Sequence, residues 1–168
     1  IMTDGNTLSY TLYSYLLSRC GKARLLDQPS PVILEKAVKN PVEIEGFRKA
    51  YLNDGIAMER FLFWLEKTME KDIPLTEADT AAKLSWMRTL SEDAMGDSFG
   101  YISAYGANAA LPHYSAVAGS CSTLQKRGFY LIDSGGHYLY GTTDITRTIP
   151  LGPLTQLERE DYTLVLKA

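Results

Sequence analysis

Cysteine is nearly absent: the chain has two, Cys20 and Cys121, far apart in sequence. That is too few for a disulfide framework or a zinc knuckle, and reduced thiols are expected. Long apolar runs are missing as well. No stretch approaches the ~20 residues of a membrane-spanning helix, and no basic–apolar–small leader opens the chain. The default expectation is a soluble cytoplasmic protein. The net charge is only −3, without concentrated Lys and Arg, which argues against a nucleic-acid surface, and no nucleic-acid partner is expected. The signatures of several large enzyme classes are also missing: there is no His-Glu-x-x-His, no Gly-Lys-Ser/Thr phosphate loop and no Gly-x-Ser-x-Gly elbow. Histidine is scarce, with only His113 and His137, and there is no internal repeat or low-complexity run.

What is there suffices for one ordinary globular domain: 168 residues, 45% hydrophobic and 22% charged. Leu8, Leu12, Leu16 and Leu17 recur at helical spacing and stop near Gly21. Asp27-Gln28-Pro29-Ser30-Pro31 breaks that helix, because two prolines one residue apart favour extended chain, and a domain boundary is placed there. From Pro41, a residue tolerated in a first helical turn, Ile44, Phe47, Tyr51, Met58, Phe61, Leu62 and Leu65 form one apolar stripe. Asp54 falls on that stripe, where an acid must be partnered or partly exposed. Phe61, Phe63 and Trp64 are expected in the core. Thr76-Glu77-Ala78-Asp79 has capping-box form and opens a second helix to about Leu90, with Leu84, Met87 and Leu90 on its buried side.

Residues 99–103 alternate large and small like a strand, and Gly106-Ala107-Asn108 reads as a turn. Irregular chain then runs past His113 to Thr123. Residues 128–132 lead into a hairpin whose second strand ends near Ile149-Pro150, and Thr155-Gln156-Leu157-Glu158 opens a last helix. Helices followed by strands, without βαβ alternation, imply an α+β fold with an antiparallel sheet. The first residue is Ile1, and the apolar pattern of residues 164–168 has no stop signal, so the chain reads as a fragment.

Residues 131–148, Leu-Ile-Asp-Ser-Gly-Gly-His-Tyr-Leu-Tyr-Gly-Thr-Thr-Asp-Ile-Thr-Arg-Thr, carry the most chemistry. Asp133 and Asp144 lie eleven positions apart, an odd spacing that would send them to opposite faces of a single strand. In a hairpin, directly opposed residues share a face. If Asp133 opposes Asp144, the turn is centred between Tyr138 and Leu139, and the two Cβ atoms lie roughly 4.5–5.5 Å apart. Two carboxylates that close need a proton or a cation between them, and a pair of divalent metals about 3.5–4 Å apart suits the gap. The plainer alternative is a turn, with Asp133 accepting backbone hydrogen bonds and Gly135 and Gly136 supplying positive φ. Both readings stand on spacing alone.

The full string resembles the metal-binding hairpin of the Xaa-Pro aminopeptidases, members of the pita-bread metallopeptidases. Asn108-Ala109-Ala110-Leu111-Pro112-His113-Tyr114-Ser115 resembles the family segment that carries an active-site histidine. Pro31-Val32 and Lys36-Ala37-Val38-Lys39-Asn40 resemble the entry to the catalytic domain, and Phe63-Trp64-Leu65-Glu66 its first long helix. The resemblance implies that Asp133 and Asp144 are metal ligands and that His113 assists the tetrahedral intermediate or shuttles a proton. It implies two divalent ions, Mn²⁺, and hydrolytic removal of an N-terminal residue that precedes proline. It makes residues 1–30 the C-terminal tail of a preceding non-catalytic domain and residues 31–168 the first half of the pita-bread catalytic domain. The family's remaining ligands, one histidine and two glutamates from later segments, are absent from this chain. No stably bound metal pair is therefore expected here, and an uncovered apolar face favours a homodimer. His137 is read as solvent-facing and Arg147 as a partner for a nearby carboxylate. A non-catalytic homologue that binds peptide or protein, or an inactive fragment, remains the alternative.

Overall fold

The computed structural model describes residues 1–168. The chain divides into two compact units, Ile1–Ile44 and Glu45–Ala168. In the first, β1 (Met2–Thr3) pairs in parallel with β2 (Leu26–Asp27), and α1 (Tyr10–Cys20) lies between them in sequence. The Ser9 hydroxyl accepts the Leu12 N–H at the start of α1, and Gly21 ends it at φ 73°, a left-handed value that suits glycine. The two prolines behave differently from the sequence expectation. Ser30, before Pro31, is extended as predicted, but Pro31 itself opens α2 (Pro31–Ala37), because its fixed φ already fits a first helical position.

The helix α3 (Pro41–Glu70) begins at a reciprocal cap: Glu43 N–H donates to Asn40 Oδ1 at 2.9 Å, and Asn40 N–H to Glu43 Oε2 at 2.8 Å. Its buried face in the second unit is Ala50, Asp54, Ala57, Met58, Phe61 and Leu65. Met58, Phe61 and Leu65 of the expected stripe are buried, but Ile44 and Tyr51 are exposed, and so is Phe63, which was expected in the core. The reason is a close approach. A Cβ on Gly46 would sit 2.3 Å from the Tyr140 carbonyl oxygen, and one on Gly141 would sit 3.1 Å from the Ala50 Cβ. Here the helix meets the hairpin tip through small residues, so a large apolar side chain has no room on that face.

Thr76 and Asp79 form the predicted capping box at the start of α4 (Glu77–Arg88). Leu84 and Met87 are buried, whereas Leu90 lies past the helix end and is exposed. The strands are β3 (Ala94–Asp97), β4 (Ile102–Tyr105), β5 (Phe129–Ser134), β6 (Gly136–Tyr138), β7 (Gly141–Thr142) and β8 (Ile145–Pro150), followed by α5 (Gln156–Lys167) with its own Thr155–Glu158 capping box. They form two three-stranded antiparallel sheets, β4-β5-β8 and β3-β6-β7. β3 contains Gly96 and Asp97 and shows no apolar alternation, so its sequence carries no strand signal. The expected strand at 99–103 forms three residues later, where Ile102–Tyr105 can pair with Asp133–Tyr130.

Alternation on β5 places the core. Tyr130, Ile132 and Ser134 are buried against the helices, while Phe129, Leu131 and Asp133 are only half-buried on the other face. Phe61, Leu65, Leu84, Met87, Tyr130 and Ile132 make one cluster. Fully burying side chains such as Phe61, Leu84 and Ile132 contributes about 1.5–3 kcal/mol each. The hydroxyls of Thr80, Ser103 and Tyr130 close a buried triangle at 2.8–2.9 Å, which satisfies the Tyr130 phenol inside that core.

Candidate functional site

β5 to β8 are one long hairpin with a bend. Ser134 pairs with Ile145, the ladder breaks, and His137 then pairs with Thr142 and Tyr138 with Gly141. The turn therefore falls at Leu139-Tyr140, one residue later than the sequence placed it. Asp133 opposes Thr146 rather than Asp144. Asp144 lies two positions before Thr146, and regular alternation makes it a same-face diagonal neighbour of Asp133, for which Cβ separations of roughly 7–8 Å are usual. The simple turn reading also falls: neither Gly135 nor Gly136 has a positive φ. Gly135 is needed for another reason. A Cβ there would lie 2.0 Å from the Thr143 carbonyl oxygen and 2.3 Å from Ser98 Oγ.

Asp133 is half-buried, and Thr146 Oγ1 donates to its Oδ1 at 2.7 Å. Asp144 is exposed. Neither carboxylate is paired with a Lys, Arg or His, so both keep hard oxygen donors available on one side of the bend. This donor set fits a hard divalent cation. No third His, Cys, Asp or Glu joins them to complete a cluster within the chain. Arg147 is not the carboxylate partner expected of it: exposed on β8, it donates through Nη1 to the Thr146 carbonyl at 2.8 Å. His137 is exposed as expected, with Nδ1 2.9 Å from Thr142 Oγ1.

His113 lies in the irregular segment after the short 3₁₀ turn Gly106–Ala110. It is exposed, at φ 60°, a left-handed conformation uncommon for a residue other than glycine and found more often at functional sites. No hydrogen bond links its ring to either aspartate. What fixes its segment is a residue that sequence reasoning missed. Glu77, fully buried at the start of α4, accepts hydrogen bonds from Tyr105 N–H at 2.6 Å, Asn108 Nδ2 at 3.0 Å, Tyr114 Oη at 2.7 Å and Ser122 N–H at 2.8 Å. Asn108 and Tyr114 flank His113, so this carboxylate gathers both sides of the histidine segment. Burial pushes the Glu77 pKa up, but the bonds from Asn108, Tyr105, Tyr114 and Ser122 outweigh it and hold the group below its ordinary value.

A carboxylate whose folded pKa is depressed contributes stability above its unfolded pKa and loses it as pH falls through the folded one. Glu77 should thus support the segment fully at neutral pH and release it in acid, below the ordinary value of 4.5. Glu77→Gln substitutes an amide that must turn an N–H₂ toward donors, leaving some of them unpaired. A loss of about 2–4 kcal/mol is expected, read by urea unfolding, with faster proteolysis between residues 106 and 123. Unchanged stability and unchanged cleavage would remove Glu77 from this role.

Residues 45–168 match the profile of metallopeptidase family M24. A probable Xaa-Pro aminopeptidase P of Tuber melanosporum is 47% identical over 138 residues, covering 82% of this chain and 22% of that protein. One from Pyrenophora teres f. teres is 44% identical over 163 residues, covering 96% and 24%. Among solved structures, the X-prolyl aminopeptidase of Caenorhabditis elegans, described as a cytosolic enzyme with a dinuclear active site, superposes with a TM-score of 0.79 at 37% identity, covering 83% of this chain and 23% of that one. An Xaa-Pro dipeptidase from Bacillus anthracis gives a TM-score of 0.80 at 26% identity, covering 99% and 44%. The α+β architecture with antiparallel sheets matches these pita-bread relatives. The chain spans about a quarter of the length of the curated relatives it matches.

Proposed function

This chain belongs to metallopeptidase family M24, and from that premise we propose that it is part of a cytoplasmic Xaa-Pro aminopeptidase that removes the N-terminal residue of peptides whose second residue is proline. Residues 31–168 are, in this proposal, the first half of its pita-bread catalytic domain, and residues 1–30 are the C-terminal tail of a non-catalytic domain that precedes it. Asp133 and Asp144 are two of the metal ligands, and His113 is the catalytic histidine. The observation that carries the reading is the hairpin itself: two unpaired carboxylates, Asp133 on β5 and held by Thr146, Asp144 immediately before β8, in a chain whose relatives are named for this reaction.

Each residue has distinct work. When bound, a pair of divalent ions, Mn²⁺ in this proposal, supplies Lewis-acid polarisation of the scissile carbonyl and a water of lowered pKa. Asp133 and Asp144 bring negative charge and hard oxygen donors to one face. The Thr146 hydroxyl occupies Oδ1 of Asp133 and so orients the carboxylate, leaving Oδ2 without a hydrogen-bond partner in the chain. His113 gives a proton to, or takes one from, the reacting peptide. No helix of the chain is long and apolar enough to cross a membrane, and a free peptide in solution is the proposed substrate. The metal pair needs further ligands from outside these residues.

The test is release of the N-terminal residue from an Xaa-Pro peptide by the complete protein with Mn²⁺, comparing the wild type with His113→Asn. Asparagine tolerates the left-handed backbone, so this variant removes the imidazole without adding strain. Turnover should fall about 10²–10⁴-fold while metal content stays at the wild-type level. Loss of metal from this variant would instead make His113 a ligand.

A further inference from the structure

The regular ladder breaks at the bend beside the two aspartates, where a single backbone bond, from Thr143 N–H to the Gly136 carbonyl, carries the register across. We propose that the buried ion pair between Asp54 and Arg88 is the positioning element for Asp133 and Asp144, acting through Ser134 and Thr143. The inference rests on the reading of the two aspartates as metal ligands.

The geometry is specific. Ser134 follows Asp133, and Thr143 precedes Asp144. Both are buried, at 0% and 1% exposure, so alternation turns the neighbouring aspartates to the opposite face. Both reach the same pair. Arg88 Nη2 donates to Ser134 Oγ at 3.1 Å, and Thr143 Oγ1 donates to Asp54 Oδ2. Arg88 Nε in turn donates to Asp54 Oδ1 at 2.5 Å. The pair comes from α3 and α4 and not from the hairpin, so each hairpin strand is tied at its bend to one helical platform. Within the break, Gly136 N–H donates to Thr143 Oγ1 and Thr143 N–H to the Gly136 carbonyl, both at 2.9 Å. Thr143 therefore connects the strands to one another as well as to Asp54.

Stability alone does not account for such a pair. Apolar side chains of similar volume usually serve a core as well or better. A salt bridge offers direction instead: the guanidinium has donors in a fixed fork, and here three of them reach Asp54, Ser134 and the Tyr101 hydroxyl at 2.6 Å. Rotation of either Ser134 or Thr143 out of the core would break a bond to a buried charge. The same rotation would carry Asp133 or Asp144 off the outer face.

The experiment uses the complete protein and reads Mn²⁺ affinity from the electron paramagnetic resonance signal of the free ion, beside the melting temperature of the metal-free form. Thr143→Val keeps the side-chain shape and removes the hydroxyl. It should weaken Mn²⁺ binding about 10–100-fold, and Thr143→Ser should restore it. Ser134→Ala, which removes the other arm, should weaken binding about tenfold; it decides the matter if the valine variant does not fold. A role confined to stability would lower the melting temperature and leave affinity unmoved, and that result overturns the inference. Asp133→Asn separates the two levels. If it retains both ions, the ligand reading itself is wrong. If it loses metal while Thr143→Val and Ser134→Ala bind as the wild type does, only the positioning role is wrong.

Discussion

Asp133→Asn in the complete protein is expected to lower metal content and peptidase activity together, with Mn²⁺ affinity falling at least about 100-fold, the upper end of what outer partners alone control. Asparagine keeps the shape and can still accept the Thr146 hydroxyl through its carbonyl oxygen, so the hairpin should fold as before. What disappears is a negative charge and an anionic oxygen, and affinity for hard cations depends on the charge and number of their ligands. Asp144→Asn should act in the same direction with even less effect on stability, because Asp144 is exposed and accepts no side-chain hydrogen bond. Elemental analysis of the purified variant gives the answer directly. Two ions retained per molecule in Asp133→Asn would show that the carboxylate is not a ligand.

The parts of this fold written in local chemistry were legible. Thr76 with Asp79 and Thr155 with Glu158 announce two helix starts because a capping box needs only four consecutive residues. The hairpin was visible from its strands and glycines. Its register was not, since a one-residue shift of the turn costs nothing in local propensity. The actual choice follows from interactions distant in sequence: Tyr140 Oη donates to Asp93 Oδ2 and accepts from Asn53 Nδ2, both at 2.7 Å, which holds the tip against α3. The helix stripe failed at Tyr51 for the same reason, because only the folded hairpin makes Gly46 and Ala50 the close-packed face.

Buried charge was half legible. Asp54 stood out as an acid on an apolar stripe and is partnered as expected, but nothing in the sequence pointed to Arg88, 34 residues away. Glu77 was hidden more completely, inside a capping box in which Asp79 does the capping. Its donors come from Tyr105, Asn108, Tyr114 and Ser122, so its role exists only once β4 and the histidine segment have folded over α4. The two buried acids share a logic. Each sits on a helix, and each holds a segment that carries a candidate site residue, Asp54 the bend and Glu77 the loop of His113.

Arg88→Ala should be among the most destabilising single changes in the chain, at about 3–5 kcal/mol. Asp54 has no exposed surface and Arg88 is 3% exposed, so the truncation leaves a carboxylate inside the core with only the Thr143 hydroxyl as donor. It also strips a partner from Ser134 and from Tyr101, which keeps its bond to Asp97 at 2.7 Å. The double variant Asp54→Leu with Arg88→Ala should be clearly more stable than Arg88→Ala alone, because removing both charges removes the uncompensated one. That inequality is a coupling between the two sites, and urea unfolding of the wild type, the two single variants and the double variant measures it as a cycle. If Arg88→Ala unfolds within about 1 kcal/mol of the wild type, water reaches Asp54 and the pair is not the closed, directional contact described for it. If instead the single variant is crippled and the double one recovers, the charge at Asp54 is tolerated only because Arg88 is there. The recovered double variant then has a folded hairpin with no ion pair beneath its bend.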